Sequence, residues 1–130
     1  MSGVGAMSAR DELIERLRIL LTNEASVRDV SMFGGRSFMI NEKMAVSALA
    51  GGDLLVRIDA SRHDELVAHH GAAGAEMGAG RVMGTGWIAI TAEAIAGDEG
   101  LAYWLGEALD YNRSVTLDAR VGDKPATAPQ

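Results

Sequence analysis

The sequence contains no cysteine. Disulfides, thiolate metal sites and thiol chemistry are therefore excluded, and no oxidising compartment is required. Proline is nearly as scarce, and both copies fall in the closing segment GDKPATAPQ. No apolar run approaches the roughly 20 residues of a membrane-spanning helix. The opening MSGVGAMSAR lacks the charged, apolar and small-residue order of a secretory signal. Runs of lysine and arginine are also missing, and the formal net charge is -6. That balance repels phosphate backbones, so direct nucleic-acid binding lacks its usual electrostatic source. A cytoplasmic protein with no membrane partner is the expectation.

What is present points to one domain. A chain of 130 residues buries about two thirds of the surface it exposes when unfolded, enough for a core without staples. Residues 1–7 are expected to form a disordered extension, 8–120 the domain, and 121–130 a disordered tail.

Ser8 and Asp11 have the spacing of a capping box. Leu13, Leu17, Leu20 and Leu21 then recur at helical period, which predicts a helix over 9–23. After Asn23 the period changes. Short apolar runs flank Gly34-Gly35 and Asn41-Glu42-Lys43, and DLLVRID at 53–59 alternates cleanly. Leu54, Val56 and Ile58 share one face of that strand, and Leu55, Arg57 and Asp59 share the other. Four strands joined by short bends make a meander. Ser61 and Asp64 repeat the capping-box spacing ahead of a short helix ending before Gly71. Residues 71–86, rich in glycine and alanine, are expected to be loop. Trp87 to Ile90 give a fifth strand. Asp98 is placed to cap a last helix, with Leu101, Leu105, Ala108 and Leu109 buried, Trp104 and Tyr111 at the borders, and fraying somewhere over 115–120. The order is α-β-β-β-β-α-β-α. Strands in a run argue for an α+β fold of two layers, a mainly antiparallel five-stranded sheet with helices packed on one face.

With these motifs placed, the chain resembles the N-terminal domain of TfoX/Sxy-type proteins, a family named after bacterial competence regulators. The resemblance is carried by MFGGRSFMINEKMAVSA, DLLVRID, GAGRVMGTGWIAI and LAYWLGEAL, all between residues 31 and 112. One departure is Asn41-Glu42, where the family often has Asn-Gly, so a bend wider than two residues is expected there. The regulators proper carry a further C-terminal domain, and this chain ends about where the N-terminal one would. The resemblance implies a helix-flanked antiparallel sheet, and it implies no catalytic residues. No cofactor is expected.

The candidate sites can be weighed on chemistry. Gly34-Gly35 could cradle a phosphate, but such loops run from a strand into a helix N-terminus and are followed by lysine and a hydroxyl residue. Here strand follows strand, so the glycines read as a hairpin bend with positive φ. Gly84 and Gly86 read as turn residues in the same way. His63, His69 and His70 lack a third ligand at metal-site spacing and read as exposed helix residues. Asp53 and Asp59 flank Arg57 on one strand face, which suggests charge neutralisation across the sheet. Met39 and Met44 read as adaptable filler or as a pliable contact surface.

Two functional expectations follow. The first is a non-catalytic regulatory module that pairs with itself and with another protein. Leu55, Trp87 and Met39 would lie on the sheet face turned away from the helices, and an exposed apolar patch there would mark a partner. Pairing through the sheet, or cover by the 71–86 loop, would each bury it. The second is a small-ligand or anion site between the Gly34-Gly35 bend and the 78–87 loop, with Arg36, Arg57, Arg81 and Trp87 as its wall.

Overall fold

The computed structural model describes residues 8–24, 26–32, 35–76 and 83–123. Helix α1 spans Ala9–Leu20, and its N-cap is Ser8, whose Oγ accepts from the Asp11 amide at 3.0 Å. Strands β1 (Val27–Met32), β2 (Gly35–Ile40), β3 (Lys43–Ala48) and β4 (Leu54–Arg57) follow as a meander. Helix α2 (His63–Val67), strands β5 (Ala72–Gly74) and β6 (Trp87–Ile90), and helix α3 (Asp98–Asp123) complete the chain. All pairings are antiparallel, and the strand order is β1-β2-β3-β4-β6-β5.

Among the described residues the sheet has six strands rather than the five expected. The addition is β5, inside the segment read as loop. Ala72, Ala73 and Gly74 pair with Ile90, Ala89 and Ile88. The free edge of β6 supplies the hydrogen-bonding template, and small residues suffice for an edge strand.

One core joins the layers. Leu13, Ile14 and Leu17 of α1, Leu66 of α2, and Leu101, Trp104, Leu105 and Ala108 of α3 share a cluster with Phe38, Val46, Leu54, Val56, Ile88 and Ile90. On β4 and β6 these are alternate residues, so the helices cover one face. Trp104, expected at a border, is 3 % exposed. Leu20, expected in the stripe, is 45 % exposed because α1 stops there and Leu21 takes the buried place. Helix α3 runs to Asp123 without the predicted fraying.

Two predicted caps differ. Asp59, not Ser61, opens the α2 region: its Oδ1 accepts from the Ser61 amide at 2.9 Å and hydroxyl at 2.8 Å, above a 3₁₀ turn at Ala60–Arg62. Those bonds hold the Asp59 carboxyl below its ordinary range. Asp98 is the first residue of α3 rather than its cap, and its carboxylate meets Arg16 at 3.4 Å.

The β2–β3 bend settles the Asn41-Glu42 departure. It is a two-residue turn after all, with φ of 54° at Asn41 and 63° at Glu42. Left-handed backbone costs a residue with a Cβ about 1–2 kcal/mol. Two contacts offset it: Arg28 grips the Glu42 carboxylate from Nε and Nη2, and Asn41 Nδ2 donates to Asn112 Oδ1 at 3.0 Å. The first grip lowers the Glu42 pKa. Its stabilisation is therefore present above the unfolded carboxylate value and is lost as pH falls through the folded one. Glu42→Gly should raise the melting temperature by roughly 3 °C at neutral pH. The gain should widen in acid, where the native chain has lost the Arg28 pair. Thermal melts at neutral and acid pH check both parts.

Candidate functional site

Concave regions among the described residues adjoin α3. The first is a cleft of about 290 Å³ where the starts of β3 and β6 and the end of β4 meet α3. Lys43, Met44, Arg57 and Trp87 line it from the sheet, and Ala108, Tyr111, Asn112 and Val115 from α3.

Arg57 organises this cleft. Its guanidinium carbon stands 5.2 Å from the Trp87 ring centre and 5.0 Å from that of Tyr111. Nη2 donates to the Tyr111 hydroxyl at 3.3 Å and Nη1 to the Ile58 carbonyl at 3.4 Å. A cation over aromatic faces is attracted by the ring quadrupole, worth about 0.5–2 kcal/mol as water is excluded. Gly86 makes room, since a Cβ there would lie 1.6 Å from Arg57 Nη1. Gly84 does have positive φ, at +111°, so its turn role holds. Gly86 lies in the same turn, which the Trp87 amide closes by donating to the Gly84 carbonyl at 3.3 Å, and serves close approach as well.

Asn112, 3 % exposed, closes one end. Its Nδ2 donates to the Ile40 carbonyl at 2.8 Å, while its Oδ1 takes Asn41. The β2–β3 bend is thereby tied to α3 across more than seventy residues of chain. Nothing in the sequence reading singled out Asn112. The available signal was its position: a polar residue continuing the stripe of Leu101, Leu105 and Ala108.

The predicted wall therefore assembles only in part. Arg57 and Trp87 converge. Arg36 does not: it points to Asp29 on the neighbouring strand, at 3.6 Å. Arg81 and Gly34 lie outside the described residues. Gly35 is the first residue of β2, so a strand and not a helix follows the glycine pair. Its φ is not positive, and its reason is proximity: a Cβ would lie 2.0 Å from the Ala48 carbonyl oxygen. Neither Asp53 nor Asp59 forms an ion pair with Arg57, although the Arg57 charge is among the causes that lower the Asp59 carboxyl. Asp53 accepts from the Ala92 amide at 2.8 Å, and Asp59 is held by Ser61.

The expected apolar patch is likewise reduced. Leu55 is 2 % exposed within the single chain, and Met39 and Trp87 are half-buried. Among the histidines, His63 Nδ1 lies 2.9 Å from the Thr85 carbonyl, while His69 stacks on Tyr103 at 5.2 Å between ring centres. Among the described residues no cluster of three or more His, Asp or Glu side chains could hold a metal ion.

The second region is a groove of about 350 Å³ between the end of α1 and the start of α3, lined by Arg16, Ile19, Leu20, Asp98, Leu101 and Ala102. Ile19 is 70 % exposed. Arg16 bridges the helices by donating to the Ala96 carbonyl at 3.3 Å and to Asp98 Oδ1 at 3.4 Å. No helix among the described residues is long and apolar enough to cross a membrane.

The quoted motif stretches thus meet around one cleft: Asn41, Lys43 and Met44 from the second bend, Arg57 from the alternating strand, and Gly86 and Trp87 from the stretch that opens the last strand. The family model of the TfoX N-terminal domain matches residues 20–111. The chain belongs to the TfoX N-terminal domain family. No curated protein matches it. The matched segment of this TfoX-type domain runs from the end of α1 to Tyr111 of α3, and so takes in the whole sheet.

Proposed function

We propose that this TfoX-type domain is a non-catalytic, cytoplasmic regulatory module that works by protein contact, first with a second copy of itself. Family membership supports the regulatory part, because the family takes its name from bacterial regulators. The observation that carries the contact part is the α1–α3 groove, where Ile19 and Leu20 stand 70 % and 45 % exposed. Exposed apolar side chains that adjoin in this way mark association surfaces. The groove is also self-complementary in charge. Arg16 stands on its α1 side and Asp98 on its α3 side. A two-fold axis would set each arginine opposite the other copy's aspartate, as an isologous interface requires. The polar groups of the Arg57 cleft favour binding over chemistry, since Asn112 and Tyr111 are engaged in holding the fold.

Light scattering on the purified protein tests the pairing. The native chain should be dimeric at high micromolar concentration. Ile19→Asp should be monomeric there, with an unchanged circular dichroism spectrum, because the side chain is already at the surface. A native chain that stays monomeric at millimolar concentration ends the proposal of self-pairing.

A further inference from the structure

We propose that the cleft beside Arg57 binds a small organic monocarboxylate with a flat apolar body, an acid built on a single ring. The cleft is cationic in an acidic protein: Lys43 and Arg57 line it, and none of its lining residues is acidic. Among the described residues no carboxylate stands within ion-pair distance of Arg57, whereas Arg16, Arg18, Arg28, Arg36, Arg62 and Arg113 each have one. A guanidinium carries five N–H donors in a fixed fork. Two groups accept from Arg57, at the long distances of 3.3 and 3.4 Å. Donors remain for a carboxylate, which suits that fork bidentately.

The guanidinium is also held ready. It lies beside the Trp87 and Tyr111 rings, and glycine at 86 leaves it room. Pre-set geometry of this kind lowers the ordering cost of binding. The remaining walls are carbon-rich: Met44, Ala108, Val115 and the two rings. Asn112 adds no free polarity, because both ends of its amide are engaged. An inorganic phosphate would leave these apolar walls without a partner. An apolar body behind a single carboxylate matches them, and about 290 Å³ accommodates little more than one ring.

This cleft shares no residue with the α1–α3 groove, so the proposal stands or falls apart from dimerisation. The test is an NMR titration with sodium benzoate, following the tryptophan indole and arginine Nε–H signals. Trp87 lines the cleft and Trp104 is 3 % exposed in the core, which gives an internal control. Benzoate should move the Trp87 and Arg57 signals saturably and leave Trp104 in place. Lys43→Glu, at an exposed position, should fold normally and weaken binding by roughly fivefold. Arg57→Lys keeps the charge but loses the fork, and should weaken it by about tenfold. Three results would overturn the proposal: no saturable shift with tens of millimolar benzoate, equal binding of neutral benzyl alcohol, or equal binding of inorganic phosphate.

Discussion

Gly35→Ala should cost the fold about 3 kcal/mol or more, the upper range for forcing atoms into a packed site. The added Cβ would sit 2.0 Å from the Ala48 carbonyl oxygen, 2.9 Å from its carbon and 3.0 Å from the Leu49 Cα. All three neighbours are backbone, so no side chain can swing aside. Ala48 is fully buried and paired with both flanking strands, opposite Arg36 and Leu54. Relief would require the β2–β3 ladder to open at its Arg36–Ala48 end, where Ala48 is also paired with β4. A domain of ordinary stability holds only about 5–15 kcal/mol in reserve. Urea denaturation of this variant should therefore show a markedly lower midpoint with an unchanged slope. Gly51→Ala is the matched control, since nothing lies within 4 Å of its added Cβ. It should fall within about 0.5 kcal/mol of the native chain. Equal midpoints for the two variants would mean that the close approach of β2 and β3 is not what glycine serves here.

That glycine marks where sequence reading stops. A Gly-Gly pair between apolar runs announces a bend, because local backbone freedom is a property of the residue itself. Whether the chain needs positive φ or merely a missing Cβ depends on another strand's carbonyl, thirteen residues away at Ala48. The same divide separates the elements that were legible from those that were not. Leucine spacing and the Ser8 cap gave α1, and the alternation of DLLVRID gave β4 with its correct inner face. Ala72, Ala73 and Gly74 gave nothing, because an edge strand of small residues has no bulk to alternate. For Leu55 the face was legible and the burial was not. Alternation separates it from the helix-facing core, yet its 2 % exposure depends on the rest of the fold.

The site divides in the same manner. Arg57 and Trp87 stood out as charge and ring in motif stretches, and they do meet, because β4 and β6 are neighbours and the two residues are paired in register. Tyr111 completes the cluster from a helix fifty-four residues further on, a contact that no local pattern encodes. Arg36 was grouped with them for its charge, but its strand position sets it beside Asp29 on the far ribbon. Side-chain type was readable; convergence required the sheet order.

Asn112 is where the fold and the cleft depend on one side chain. Its amide gives a hydrogen to the Ile40 carbonyl at 2.8 Å and takes one from Asn41 at 3.0 Å. Removing it takes one donor from the buried Ile40 carbonyl and the acceptor from Asn41, so Asn112→Ala should cost about 2–3 kcal/mol. Asn112→Asp keeps the shape and is the sharper test. At neutral pH an anionic oxygen would face the Ile40 carbonyl in a site only 3 % exposed, where desolvation and repulsion oppose that charge against the attraction of Lys43 and Arg57, which line the same cleft. The folded variant should thus hold its proton to higher pH than the unfolded chain does. Where the native state binds more protons, stability falls as pH rises. The variant should be close to the native chain near pH 4, where the protonated carboxyl can donate to Ile40. It should become less stable than Asn112→Ala near pH 8. Urea midpoints at the two pH values decide the matter, and a deficit independent of pH would remove the buried donor role. Because the bend that Asn112 clamps leads directly into Lys43 and Met44, the alanine variant should also loosen the cationic wall of the cleft. In that variant the resonances of the Lys43 and Met44 amides should broaden before those of Ile88 and Ile90 on β6 do.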